Sequence, residues 1–211
     1  MTKRSVVCCV TLLLAFALLL AATQPAYAQF ARVWTGNLSG IRADIRTPSS
    51  AMSGIPSGTT VKMATFVAYD RTSAGWLVRP GEYNNPISYY EWYDLSYTKH
   101  EVPLSAQSYN TSRAYDLRYI GASAWEIYIV GTRRRVSTEP TSGAQSLSVG
   151  GKTSAYGANL KGSVSNGNVS LTVPPSWDWL STGYSTATND YPLMLSITTA
   201  NGAFSLSNWN Y

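Results

Sequence analysis

Along most of this chain hydrophobic and polar residues alternate with a period of two. No window keeps apolar residues at i, i+3, i+4 and i+7 for three turns, so the pattern predicts strands and no long helix. Residues 40–47 set Ile41, Ala43 and Ile45 against Arg42, Asp44 and Arg46. Residues 60–69 put Val61, Met63, Thr65, Val67 and Tyr69 on one side and Lys62, Ala64, Phe66 and Ala68 on the other. Residues 114–120 and 125–130 read as a hairpin across Gly121-Ala122-Ser123, with Tyr115, Leu117 and Tyr119 meeting Trp125, Ile127 and Ile129. Later strands are expected at 169–173, 193–198 and 203–207. Pro48, Pro56, Pro80, Pro86, Pro103, Pro140 and Pro174-Pro175 are expected between strands, where proline is tolerated. Residues 137–151, rich in Ser, Thr and Gly, read as a long surface loop. Many short strands with evenly spread turns imply an all-β fold, a two-sheet β-sandwich or jelly roll.

One strand stands apart. Residues 87–97, ISYYEWYDLSY, hold five Tyr and Trp rings around a single glutamate, Glu91. Side chains on a strand alternate between its faces. Tyr89, Glu91, Tyr93 and Tyr97 therefore share one side, and Tyr90, Trp92 and Asp94 the other. Rings on both sides suggest a central strand with one face in the core and one in a groove. Tyr and Trp join a flat apolar face to a polar edge, which suits sugar rings and extended peptides. Tyr89, Tyr90, Trp92, Tyr93 and Asp94, with Trp76, are the candidate binding residues, and Glu91 is the candidate catalytic group.

The first 28 residues change the composition. Lys3 and Arg4, an apolar run over 10–22 and Ala26-Tyr27-Ala28 form the three-part pattern of a secretory signal, with cleavage expected after Ala28. The apolar run is short of the ~20 residues of a membrane span. A secreted, extracellular protein follows, with one domain over residues 29–211 and no membrane attachment after cleavage. Cys8 and Cys9 leave with the signal, so that domain has no cysteine and rests on its hydrophobic core. Its net charge falls from +5 to +3 as Lys3 and Arg4 are lost. The basic cluster Arg133-Arg134-Arg135 reads as a solvated strand terminus, and nothing else favours nucleic acid.

Absences narrow the chemistry. A serine triad would need His100, the one histidine, as its base, yet no Gly-x-Ser-x-Gly turn occurs. Zinc and copper sites want several His or Cys ligands, so no metal and no cofactor is expected. Loops such as Asn189-Asp190 offer oxygen ligands for calcium, but no twelve-residue calcium loop is present. Gly150-Gly151-Lys152-Thr153 lacks the first glycine and the strand-to-helix setting of a phosphate loop. Glu91 and Glu126 remain in patterned strands. A glycosidase pair on neighbouring strands is conceivable, but Glu126 alternates away from Trp125, Ile127 and Ile129 and reads as solvent-facing.

Tyr89-Tyr90-Glu91-Trp92-Tyr93 resembles the Trp-Tyr-Glu-Trp-Tyr segment of the glutamic peptidases called eqolisins and, more distantly, neprosin-type peptidases. The strands at 40–47 and 60–69, the segment 76–81 and the hairpin at 115–131 follow the same order of features, over roughly residues 40–163. The resemblance implies a concanavalin-like sandwich. It also implies a Gln or Glu near Leu77 or Val78 and a second acid near 149–157. Neither is present, so both catalytic positions read as lost. The expectation is a secreted, non-catalytic sandwich that binds a polysaccharide or extended peptide. The alternatives are an acid-active glutamic-type peptidase or glycosidase using Glu91, and a structural surface or matrix protein.

Overall fold

The computed structural model describes residues 29–67, 71–138, 145–155, 158–170, 176–179, 185–189, 193–197 and 204–208. The expected signal at 1–28 and the loop at 189–190, in part, lie outside them. Every regular element among the described residues is a strand. One sheet, A, runs in the order Ser185–Asn189 (β13), Gln29–Leu38 (β1), Gln145–Thr153 (β10), Val61–Val67 (β3), Thr72–Arg79 (β4), Tyr83–Tyr93 (β5) and Lys99–Ala106 (β6). The second, B, runs Leu193–Ile197 (β14), Phe204–Asn208 (β15), Gly162–Ser170 (β11), Gly40–Arg46 (β2), Ser112–Gly121 (β7), Ala124–Ile129 (β8) and Thr132–Thr138 (β9). A short strand, Asp178–Trp179 (β12), pairs with β11 off this path. All pairings are antiparallel.

The sheets stack face to face, and the main core lies between them. Sheet A sends in Val61, Met63, Val67, Ala74, Trp76, Val78, Leu147 and Val149, and sheet B answers with Ile41, Ala43, Ile45, Tyr115, Leu117, Trp125, Ile127 and Ile129. The alternation read from the sequence is what places these residues, since a period of two buries every second side chain of a sheet face. The β7–β8 hairpin has the expected pairing: Tyr115 opposite Ile129, Leu117 opposite Ile127, Tyr119 opposite Trp125. Its loop is Ala122-Ser123, both at positive φ (49° and 61°), the geometry of a two-residue type I′ turn.

Sheet A is unusual in being buried on both faces at its centre. Every residue of β3 and the first seven of β4 are buried. On the face turned away from sheet B, Ala64, Phe66, Leu77, Ile87 and Tyr89 form a second apolar cluster. Gly75 lies where the strands come closest: a Cβ there would fall 1.9 Å from the Met63 carbonyl oxygen.

The structure corrects several expectations. The 137–151 loop is instead partly strand: β10, whose Leu147 and Val149 point into the core, occupies 145–153 between β1 and β3. Its Ser and Gly residues serve a position crowded on both sides. Arg133-Arg134-Arg135 lies within β9, the edge strand of sheet B, not beyond a strand end. Pro86 and Pro103 sit inside β5 and β6. Pro86 falls where the β4–β5 register shifts, between Tyr83 and Ile87, and Pro103 pairs with Tyr89 beside the β5–β6 register shift, with β6 at the sheet edge. The ring-rich strand ends at Tyr93 rather than Tyr97. Asp94 turns the chain there by accepting the amide protons of Ser96 (2.9 Å) and Thr98 (3.0 Å) on Oδ1.

Candidate functional site

β5 divides its side chains as the alternation requires. Tyr89, Glu91 and Tyr93 lie on the outer face of sheet A, and Tyr90 and Trp92 turn toward sheet B. The inward rings are committed to packing. Trp76 is fully buried and donates its indole N–H to the Arg46 carbonyl at 3.2 Å. Tyr90 packs partly buried against the core. Trp92 stacks on His100 (centroids 4.8 Å apart) and carries the Arg135 guanidinium 3.8 Å from its own centroid. That contact ties the edge strand of sheet B to β5 of sheet A, one strand in from its edge, a cation–π interaction worth about 0.5–2 kcal/mol. Asp94 completes the column, its Oδ2 2.9 Å from His100 Nε2. The bond from His100, with those from Thr98 and Ser96, holds the Asp94 carboxyl below the usual range.

On the outer face Glu91 is sealed, with 1% of its surface exposed. Its Oε1 is bound by the Lys62 ammonium and by the Ser73 hydroxyl at 2.8 Å, which also lies 3.1 Å from Tyr89 OH. Its Oε2 accepts no aligned hydrogen bond but pairs ionically with Lys99 Nζ, 2.7 Å away. Lys62 starts two residue rows from Glu91, as the pairings of Lys62 with Leu77 and of Ser73 with Glu91 show. Its stem can cross because Ala64 and Gly75 stand in the row between. Burial alone would push the Glu91 carboxyl up. The charges of Lys62 and Lys99 override it and hold the group below the ordinary 4.5. Burial likewise opposes the Lys99 charge, yet Glu91 holds its ammonium above the ordinary 10.5.

These directions fix a pH profile. A depressed carboxyl contributes stability that is complete above its unfolded value and is lost as pH falls through the folded one. A raised ammonium contributes below its unfolded value and is lost as pH rises through the folded one. Thermal midpoints are therefore expected to fall below about pH 4.5 and above about 10.5. Melts from pH 2 to 11 check this, and a flat acid limb would contradict it.

Around the sealed carboxylate lies a cationic, ring-bearing strip. Lys62, Lys99 and Lys152, with Thr60 and Ser154, line a cavity of about 260 Å³. Glu101, the other carboxylate near it, is held by Arg79 Nη2 at 2.8 and 3.0 Å, with Lys99 3.6 Å away. Opposite Lys99 in the ladder stands Tyr93. The Arg71 guanidinium lies 5.9 Å from the Tyr93 ring centroid and 4.4 Å from that of Tyr97. Tyr97 (φ 60°) and Leu95 project from the turn, 57% and 65% exposed. A non-glycine residue in the left-handed region is uncommon and clusters at functional sites.

Sequence reading found the rings and Glu91 but not the cations. One signal was available: Lys62 interrupts an otherwise apolar strand, and a buried ammonium requires a partner. Of the positions where the eqolisin resemblance would put an amide or acid, Leu77 lies in the outer cluster and Val78 in the core. Leu77, Lys62 and Lys152 form one cross-strand row. Glu126, expected at solvent, is half-buried and engages Tyr128 OH (3.0 Å) and Arg133 (2.8 Å). Among the described residues no three His, Cys, Asp or Glu side chains gather as a metal site would need.

No family model matches the sequence, and no curated protein matches it either. Solved structures do. Scytalido-glutamic peptidase, determined with a transition-state analogue inhibitor, aligns with a TM-score of 0.62 over 87% of this chain and 98% of its own, at 11% identity. SCP-B, a member of the eqolisin family of peptidases determined with the tripeptide Ala-Ile-His, gives 0.60 with the same coverage and identity. At that identity the likeness concerns architecture: this chain has the two-sheet, all-β sandwich of those peptidases.

Proposed function

We propose that this is a secreted, non-catalytic sandwich protein that binds an extended polysaccharide along the outer strip of sheet A. The observation that carries the reading is the state of Glu91. General acid or base catalysis needs a titratable group that can reach the substrate and exchange a proton near working pH. Glu91 is sealed from solvent, and both its oxygens are taken by lysine ammoniums. The nearby Glu101 is tied to Arg79. Exposed Tyr97 and half-buried Tyr93, bracketing Arg71, offer instead the flat faces on which sugar rings stack.

Binding to immobilised plant and bacterial cell-wall glycans tests it. Tyr97→Ala should weaken retention at least severalfold, with an unchanged melting temperature, because the ring is exposed. Incubation with casein and the same glycans from pH 2 to 7 should give no turnover. Hydrolysis that Glu91→Gln abolishes in a folded variant would establish the enzyme reading in its place.

A further inference from the structure

Resting on that polysaccharide reading, we infer that the ligand is acidic, a glycan carrying carboxylate or sulfate groups at intervals along its chain. The strip presents hydrogen-bond donors and withholds acceptors. Lysine and arginine side chains donate only, and Lys62, Lys99 and Lys152 line the cavity, the Lys62 ammonium turned to Glu91 and Lys99 42% exposed. Beyond it Arg71 makes ring contacts and no ion pair among the described residues. The carboxylates that could accept from neutral sugar hydroxyls are engaged: Glu91 by Lys62 and Lys99, Glu101 by Arg79 and Lys99. A neutral glycan, which offers a donor with each hydroxyl, would find few acceptors here. An anionic one matches the surface, its acid groups meeting ammonium and guanidinium while its ring faces meet Tyr93 and Tyr97.

The same inventory weighs against a peptide. An extended peptide carries a donor and an acceptor at each residue, and one mode by which it binds is adding a strand to an open sheet edge. The edge nearest the strip is β6, where Pro103 lacks an amide proton and the register shifts. Cations that recur along the strip, the cavity lysines at one part and Arg71 between Tyr93 and Tyr97 at another, suit a ligand whose charges repeat along its length.

Calorimetry with the signal-free protein decides this. The probes are polygalacturonate, its fully methyl-esterified form, dextran sulfate, dextran and polyglutamate. Polygalacturonate or dextran sulfate should bind at least tenfold more tightly than its uncharged counterpart, and the affinity should fall as salt rises. Arg71→Gln and Lys152→Gln should each weaken binding roughly fivefold without lowering the melting temperature by more than a few degrees. Equal binding of charged and uncharged counterparts would overturn the acidic ligand and leave the polysaccharide reading standing. Tighter binding of polyglutamate than of either acidic glycan, or no binding of any polymer, would overturn both.

Discussion

Glu91→Gln is expected to be among the most damaging single changes in this protein. The carboxamide keeps the shape of the side chain and can still accept from Ser73, so no cavity opens. What disappears is the carboxylate charge that pairs with a buried ammonium, Lys62, and with a partly exposed one, Lys99, which keeps Glu101 3.6 Å away. Lys99 can swing toward water. Lys62, 8% exposed and enclosed by Phe66 and Tyr89, cannot do so without moving those rings. Breaking a buried pair from one side costs about 3–5 kcal/mol, because the remaining charge is stranded. For a domain of this size that is on the order of 10 °C in melting temperature. The control is Lys62→Met in the same background. Removing the stranded ammonium should recover much of the loss, and the coupling read from the double-mutant cycle measures the pair. A melting temperature for Glu91→Gln within 2 °C of the parent would show that the site does not depend on this charge. The acid limb of stability should also flatten in the variant, since the group that titrates is gone.

The cycle also shows why the fold was easier to read than the site. Strand identity depends on residues one and two positions apart, which the sequence displays directly. The β7–β8 hairpin is the clearest case: Tyr115, Leu117, Trp125 and Ile127 are all bulky, and a short turn separates the strands. β10 escaped because Ser146, Ser148, Gly150 and Gly151 carry little hydrophobic signal, although two neighbouring strands enclose them. The end of β5 is hidden in the sequence because Asp94 breaks the ladder with its own side chain, while the residues beyond it continue an alternating pattern. The environment of Glu91 lies at the other extreme. Lys62 is 29 positions away in sequence, and its ammonium arrives by crossing a row of small residues. Such a contact is set by sheet order, which local patterns do not encode.

Sheet order also decides what the aromatic residues do, and Trp76→Ala is the second change with a large expected effect. The sequence groups Trp76 with the rings of β5. The structure sets it inside the sandwich, fully buried, beside Met63 and facing β11. At Gly162 of β11 an added Cβ would come within 3.2 Å of the Trp76 ring and 1.9 Å of Met63 Sδ, so this glycine leaves the space those two side chains fill. Truncating the indole removes its packing and also deprives the Arg46 carbonyl of its donor. Losses of about 3–5 kcal/mol accompany such truncations of buried Trp, again on the order of 10 °C. Trp92→Ala should cost less, since that ring sits at the sandwich edge and is 8% exposed. The functional contrast is sharper than the energetic one. Measured well below its melting temperature, Trp76→Ala should hold an acidic glycan as tightly as the parent, because nothing on the outer strip touches the indole. Tyr97→Ala should show the opposite, a parental melting temperature and weakened binding. If folded Trp76→Ala instead lost binding as severely as Tyr97→Ala, the core ring would be part of the recognition surface, and the strip would be the wrong face of the sheet.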